Sequence, residues 1–344
     1  MKFDFDDILI KPAVLTSINS RSEIDVTDLD NMLPLFTAPM DTVVSEENAS
    51  YFINNGIRAI LPRKQDVDSS YVSTDENCWF AYGLMEFRDV FLLNTPDNRE
   101  AKMYALIDVA NGHMPALKIA LIEAKEKYAD QLVIMVGNIA NPGTYVELSN
   151  AGADYIRVGI GNGGGCLTTQ QTGIGYPMAS LIVEIRELSK QINRPAKIVA
   201  DGGFKKYSDI IKALALGADY VMLGSILNKA LESAGETTNK QSEIIDQYSQ
   251  IAKNYLDVDI PLYKTFRGMS TKEVQADWGK DTLKTSEGVV RKHRVEYTVS
   301  GWVDNFTHYL KSAMSYTDCL NLQAFIGGVD YIEITENSFN RYNK

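Results

Sequence analysis

Eight short apolar runs punctuate the chain: PLFTAP (Pro34–Pro39), IRAILP (Ile57–Pro62), CWFAY (Cys78–Tyr82), MYALIDV (Met103–Val109), LVIMV (Leu132–Val136), DYIRVGI (Asp154–Ile160), AKIVA (Ala196–Ala200) and DYVML (Asp219–Leu223). They are near-continuous rather than alternating, as expected of parallel strands covered on both faces. Helical signals lie between them. Ser45 before Glu46, Glu47 and Asn48 reads as an N-cap with first-turn acids. Asn141-Pro142 reads as an N-cap followed by proline at the first helical position, and Ser208-Asp209 as the opening of IIKALALG. Gly217 suits the left-handed cap that ends that last helix. Pro115–Lys127, Ala179–Gln191 and Trp302–Phe325 carry apolar residues at helical spacing, and a helix around Glu86–Leu93 completes the series. AGADYI (Ala151–Ile156) returns as LGADYV (Leu216–Val221), each ending a helix and starting a strand. Repetition of one βα unit favours closure of an α/β chain into a (β/α)8 barrel over a doubly wound open sheet.

The length of 344 residues suggests roughly two domains at ~150 residues each, but single barrels of ~250 residues are the standing exception. From about Leu231 to Ser300 the alternation is interrupted, first by the polar ESAGETTNKQSE and later by KTFRGMS (Lys264–Ser270) and KTSEG (Lys284–Gly288). An excursion at this end of a barrel is more often a lid than a separate domain. Residues 1–344 are therefore expected to form one domain, with a flap over about 231–300 between the last strand and its helix.

Charge narrows the partners. With 34 Lys+Arg against 45 Asp+Glu the net charge is −11, a field that repels polyphosphate backbones and argues against nucleic acid while leaving room for one local anion site. No uncharged apolar run reaches the ~18 residues of a membrane-spanning helix. The opening MKFDFDD is acidic and lacks the apolar core of a secretory signal. Three widely spaced cysteines, Cys78, Cys166 and Cys319, form neither a disulfide framework nor a zinc ribbon and fit a reducing cytoplasm. Three histidines leave little material for a His-rich metal site.

Active sites of such barrels lie at the C-terminal ends of the strands, and the unusual residues of this chain fall there. Asp41 follows the first run, Asp108 ends the fourth and Gly137-Asn138 the fifth. The sixth is followed by GNGGGC (Gly161–Cys166), the seventh by Asp201-Gly202-Gly203 and the eighth by Gly224-Ser225. The plainer reading of any single Asp is a turn or cap, and for Asp41 it weighs about as much as a functional one. The last two loops occupy the usual phosphate position of the fold. There small residues let backbone N–H groups approach an anion and the Ser225 hydroxyl can donate. Cys166 follows a glycine loop rather than sitting among apolar residues as Cys319 does, so a thiolate there could be exposed and activated. Backbone carbonyls of Gly161, Gly163 and Cys166 can also hold a monovalent cation such as potassium.

LPLFTAPMDTV (Leu33–Val43), LIDVANGH (Leu106–His113), VGNIANP (Val136–Pro142) and VGIGNGGGC (Val158–Cys166) resemble the IMP dehydrogenase/GMP reductase family. So do TGIGYP (Thr172–Pro177), VADGGF (Val199–Phe204), ADYVMLGS (Ala218–Ser225), FRGMS (Phe266–Ser270) and SEG (Ser286–Gly288), in an ordered series from FDDILIKP (Phe5–Pro12) to SAMSYTDCLNL (Ser312–Leu322). The resemblance implies a (β/α)8 TIM barrel. Most dehydrogenases of the family insert regulatory modules after the second strand and carry an Arg-Tyr pair in the flap. This chain runs directly from LPRKQ into CWFAY, and the span from Met269 to Glu287 holds no Arg-Tyr, which points to the reductase branch. Asp108-Val-Ala-Asn-Gly112 and Phe266 point the same way, whereas Ser225 and His113 look more like the dehydrogenases.

For a reductase the resemblance implies that Cys166 attacks carbon-2 of a purine nucleotide, with Thr168 and Glu287 relaying a proton to the departing amine. Asp108, Ala110 and Asn111 would hold the nicotinamide of NADPH, and Asp201 the ribose. Gly202, Gly203, Gly224 and Ser225 would hold phosphate, and Met269, Ser270, Lys284 and Gly288 the base. A homotetramer is implied as well. The sequence departs from the reductases in Leu167 after the cysteine, in Thr169 where they carry Arg, and in Gly164-Gly165 where they carry a serine. It also departs in Lys284 for Arg, in Arg63 near a family lysine, and in Phe80–Leu84 for a Gly/Ser-rich segment. Three alternatives remain: a dehydrogenase without regulatory modules, converting IMP to XMP with NAD; a related reductase acting on another purine (deoxy)nucleotide; and a nucleotide-binding barrel without activity.

Overall fold

The computed structural model describes residues 1–96, 101–269, 271 and 288–342. All eight apolar runs form parallel strands: β1 (Leu35–Thr37), β2 (Ala59–Leu61), β3 (Cys78–Tyr82), β4 (Met103–Asp108), β5 (Leu132–Ile139), β6 (Tyr155–Val158), β7 (Lys197–Asp201) and β8 (Tyr220–Leu223). Each strand pairs with its neighbours in chain order, and β1 also pairs with β8. The ring closes where β1 meets β2. There Thr37 N–H donates to the Arg58 carbonyl (2.9 Å) and Arg58 N–H to the Leu35 carbonyl (3.1 Å). Register sets one rim: Asp108 lies level with Gly137, Val158 with Ala200, Asp201 with Met222 and Thr37 with Leu223.

Side chains fill the barrel interior, as the fold requires. Phe36, Trp79, Tyr104, Leu106, Met135, Val199 and Met222 are among its buried members. Phe36, Trp79, Tyr155 and Tyr220 meet mostly edge to face, with centroids 5.1–6.1 Å apart. Arg58, 2% exposed, lies over Phe36 and Tyr220 and is held by Asp28 (2.6 Å) and Asp30 (2.8 Å). A larger apolar layer, including Phe52, Leu121, Tyr145, Ile182, Leu214 and Phe306, lies between strands and helices.

Helix starts were only partly legible. Asn141 caps as expected, its Oδ1 accepting from Gly143 N–H (2.8 Å) ahead of Pro142, and Gly217 ends its helix at φ +119°. Ser45 is not a cap. Its own N–H donates to Asn48 Oδ1 (2.7 Å), and the helix begins later, at Ala49–Ile53. Ser208 lies inside the helix Tyr207–Leu216, whose entry is tied instead by Asp209 accepting from the Lys205 and Lys206 amides (2.9 and 3.0 Å). The run Trp302–Phe325 is two helices, Val299–Tyr316 and Leu322–Phe325, because Asp318 takes a positive φ of 59° and Asn321 caps afresh. The helix near Glu86–Leu93 is a short turn at Leu84–Phe87 continuing into a wider π-type turn at Arg88–Leu93. Gly137-Asn138 lies within β5 rather than after it, at an irregularity in the pairing with β6.

The excursion after β8 has its own structure. Thr237–Thr238, Tyr263–Arg267 and Val290–Arg294 form an antiparallel sheet, beside the helix Gln250–Asp257 and a small core of Leu231, Ala252, Leu262 and Val295. Lys264, fully buried, donates to the carbonyls of Ser233 (2.6 Å) and Gly235 (3.0 Å) and to Gln247 Oε1 (2.7 Å). It thereby ties three stretches of the excursion together. Burial pushes its amine down to about 7, against the opposing pull of Glu232. An unfolded lysine titrates near ~10.4, so between about pH 7 and 10 the unfolded chain binds more protons and stability rises with pH. Lys264→Met is expected to remove that pH-dependent gain and to cost about 2–3 kcal/mol at neutral pH, since buried oxygens lose their donor. Denaturant titrations of both proteins across the interval check it, and parallel pH profiles would contradict it.

Candidate active site

The strand ends open into a cavity of about 220 Å³, lined among others by Met40, Asp108, Ala110, Asn138, Arg157, Cys166, Thr168, Asp201, Ser225 and Met269. Glycines build much of the wall. Gly202 and Gly203 hold φ of +91° and +89°, a conformation natural to glycine. A Cβ on Gly202 would stand 2.9 Å from the Gly163 amide nitrogen, and one on Gly203 would stand 3.2 Å from the Asn162 carbonyl oxygen. The loops after β6 and β7 thus meet backbone to backbone. Such a surface offers amides to an anion without side chains in the way. Ser225 opens the turn after β8, and a Cβ on Gly164 would lie 3.8 Å from its Oγ.

Cys166 is a free thiol, half-buried, with its N–H donated to the Gly163 carbonyl (3.0 Å). Its Sγ lies 3.2 Å from Thr168 Oγ1, which begins the short helix Thr168–Thr172. Thr169 staples the loop by donating to the Ile174 carbonyl (2.6 Å), and a side chain at Gly161 would collide with its hydroxyl. The excursion packs on the far side. Cys166 bridges antiparallel to Gly288, Val289 N–H donates to the Gly165 carbonyl (3.2 Å), and a Cβ on Gly165 would come within 3.0 Å of the Phe266 ring. Phe266 in turn stacks on His293 (4.7 Å, 24°), whose Nδ1 meets Asn228 Oδ1 at 2.8 Å. Asn228 donates its amide to the carbonyls of Thr42 and Thr265, which fixes its oxygen toward the imidazole. Burial holds the His293 ring below its ordinary pKa, with Lys229 and Arg291 adding to the shift.

Arg157 was missed at the sequence level. It is 7% exposed, and its guanidinium donates from Nη1 to Asp108 Oδ1 (2.6 Å) and from Nη2 to Asp201 Oδ2 (2.8 Å). Burial alone would discourage its charge, but Asp201 and Asp108 outweigh that and raise its pKa. Asn138 Nδ2 also reaches Asp201 Oδ2 (2.7 Å). The available signal was a charged residue in the middle of an apolar strand, since a buried charge requires a partner. Asp41 proves to be an anchor for the excursion, paired with Arg267 from Nη2 (2.5 Å) and Nε (3.1 Å).

Most expected residues therefore converge: Cys166, Thr168, Asp108, Ala110, Asp201, Gly202, Gly203, Gly224, Ser225, Met269, Gly161 and Gly163 all line the cavity, and Gly288 reaches it through its bridge to Cys166. Asn111 does not. It is exposed, and its Oδ1 accepts from His113 N–H (3.1 Å) in the turn after β4. The Gly163 carbonyl accepts from Cys166 N–H. Ser270, Lys284 and Glu287 lie outside the described residues. Among the described residues no cluster of His, Cys, Asp or Glu could hold a metal ion, and no helix is long and apolar enough to cross a membrane.

A closed parallel barrel with a free thiol and a glycine-walled cavity at its C-terminal mouth defines a barrel enzyme. Residues 100–342 match the IMP dehydrogenase / GMP reductase domain, and the chain belongs to that family of oxidoreductases. It is 30% identical to a GMP reductase of Bacillus cereus, over 98% of this chain and 97% of the relative. It is 29% identical to that of Bacillus subtilis over 98% of each chain, and 30% to that of Oceanobacillus iheyensis over 98% and 97%. The direct passage from β2 to β3, without an inserted module, agrees with these relatives.

The contact between excursion and cysteine loop can be tested sterically. A Cβ on Gly268 would stand 2.6 Å from the Gly165 carbonyl oxygen, so Gly268→Ala must push the two loops apart. Displacement of reacting groups by about 1 Å can cost ~10²-fold in rate. A fall of that order in kcat/KM is expected, with a melting temperature close to wild type. Unchanged kinetics would show that the contact does not position the thiol.

Proposed function

We propose that this enzyme is a GMP reductase, converting GMP to IMP and ammonia with NADPH as reductant. The observation that carries the reading is the position of Cys166 on the wall of one cavity, shared with the Gly202, Gly203 and Ser225 loops and with Asp108 and Ala110. Relatives bearing that name over nearly the whole length support it.

In this reading Cys166 Sγ bonds to carbon-2 of the guanine ring, the bond to the exocyclic nitrogen breaks, and the amine departs as ammonia after taking up a proton. The sulfur keeps the purine as a thioimidate, which divides a difficult substitution into two easier steps. Thr168, beside the sulfur, and Glu287 carry the proton. NADPH, when bound against Asp108 and Ala110, supplies a hydride to carbon-2. The carbon–sulfur bond then breaks, IMP leaves and the thiolate is restored. The sum is GMP, NADPH and two protons going to IMP, NADP and ammonium. Asp201 accepts from the ribose, the amides of Gly202, Gly203 and Gly224 with the Ser225 hydroxyl hold the phosphate, and Met269, Ser270, Lys284 and Gly288 hold the base. Asp108 suits the carboxamide because one of its oxygens is bound by Arg157 and the other accepts no hydrogen bond among the described residues. Gly161, Gly163 and Cys166 offer carbonyls to a potassium ion, which activity in potassium-free buffer reads. The excursion is taken as a flap of a single catalytic domain, and the assembly as a homotetramer of the reducing cytoplasm, which light scattering of the purified protein measures in its oligomeric part.

GMP with NADPH is expected to consume reduced-nicotinamide absorbance and release ammonia. Reaction only with IMP and NAD would make the enzyme a dehydrogenase, and silence across a panel of purine mono- and deoxymononucleotides would leave a binding protein. Cys166→Ala is expected to abolish turnover while calorimetry still detects nucleotide binding, and residual turnover would remove Cys166 from its role. Glu287→Gln is expected to slow ammonia release by about 10²-fold or more, a typical general-acid contribution, with nucleotide affinity little changed.

A further inference from the structure

Resting on the reading just given, we propose that Arg157 is a positioning residue that couples two subsites: a purine nucleotide donating to Asp201 and a nicotinamide carboxamide donating to Asp108 raise each other's affinity through its guanidinium. Asp108 ends β4 and Asp201 ends β7, with β5 and β6 between them. One side chain spans that gap. Arg157, on β6, sends Nη1 to one acid at 2.6 Å and Nη2 to the other at 2.8 Å. Its stem passes against Gly137, where a Cβ would lie 2.5 Å from the Arg157 Cβ. The bare position on β5 is thus what lets the bridge exist.

The bonding pattern leaves each acid half free. Asp201 Oδ2 takes both Arg157 and Asn138, Asp108 Oδ1 takes Arg157, and among the described residues no donor reaches Asp201 Oδ1 or Asp108 Oδ2. Each carboxylate is held by the same guanidinium and presents one oxygen to a ligand hydroxyl or amide. Arg157 Nε is buried without a partner, so the fork is placed by the two acids and not by saturation of its own donors. A ligand that orders one carboxylate orders the fork, and with it the other carboxylate. The second ligand then finds its acceptor already fixed, and positive coupling of this kind is reciprocal. A lysine cannot do the same, since a single ammonium lacks the two-pronged planar geometry.

Calorimetric titration tests this without turnover. GMP and NADP are each titrated alone and in the presence of the other, using wild type, R157K and D108N. Wild type is expected to bind either ligand about tenfold more tightly when the other is present, within the usual range for coupled sites. R157K is expected to bring that factor near one even where it weakens each ligand taken alone. D108N, which removes charge at one end of the bridge and leaves Arg157 in place, should also erase the coupling and keep the affinity for GMP alone. Coupling that persists in either variant overturns the proposal. Wild type binding both ligands without coupling sinks this inference alone, whereas wild type binding neither sinks the GMP reductase reading as well.

Discussion

Closure of the strand ring is the constraint on which everything else depends. Once Thr37 N–H donates to the Arg58 carbonyl and Arg58 N–H to the Leu35 carbonyl across the β1–β2 seam, the two end strands of the sheet meet and the register of all eight is fixed on one circle. The interior must then be filled at one width. Phe36, Trp79, Tyr155 and Tyr220 fill it, and Arg58 with Asp28 and Asp30 completes that packing with paired charge. With the interior solid, the side chains at the C-terminal strand ends share a single cavity. That is why residues as distant in sequence as Met40, Asp108, Cys166 and Ser225 line the same wall.

Electrostatics at that mouth follow from the same crowding. The chain carries a net charge of −11, and two acids, Asp108 and Asp201, stand on the cavity wall. Arg157 pairs with both and offsets one charge, leaving the three side chains with a formal net −1. An anionic ligand group must be received elsewhere, and the glycine loops after β6, β7 and β8 are the part of the wall free of acidic side chains. An acid-lined sector and an amide-lined one therefore lie side by side in the same cavity.

The strands were legible because burial on both faces demands near-continuous apolar runs, and each of the eight runs became a strand. Most of the site was legible for a related reason: chemistry-bearing residues at strand ends have no structural need to recur loop after loop. What failed was local. Ser45 and Ser208 have capping side chains, yet neighbouring Asn48 and Asp209 took over the amides, because a cap is decided by loop geometry that composition does not carry. Asn111 is exposed outside the cavity lining, and its side chain accepts from His113 N–H in the turn after β4. Arg157 and Lys264 were passed over because their partners are remote in sequence: a buried cation is explained only by oxygens that the fold brings to it.

The excursion shows how such remote contacts bear on the chemistry. It is pinned at the β1 loop by Arg267 on Asp41 and by Asn228 on the Thr42 carbonyl, and internally by Lys264. From these anchors the strand Tyr263–Arg267 runs to Phe266 and Gly268, which lie against Gly165, the residue next to the thiol. Every member of that contact is small or flat: Gly165, Gly268 and Gly288 would each bring a Cβ within 3.4 Å of the opposing segment. Close packing transmits displacement rather than absorbing it. The position of the sulfur is therefore set from both sides, by the β6–β7 glycine contact beneath and by the excursion above. The excursion is thus part of the cavity wall itself, through Phe266, Gly268 and Met269.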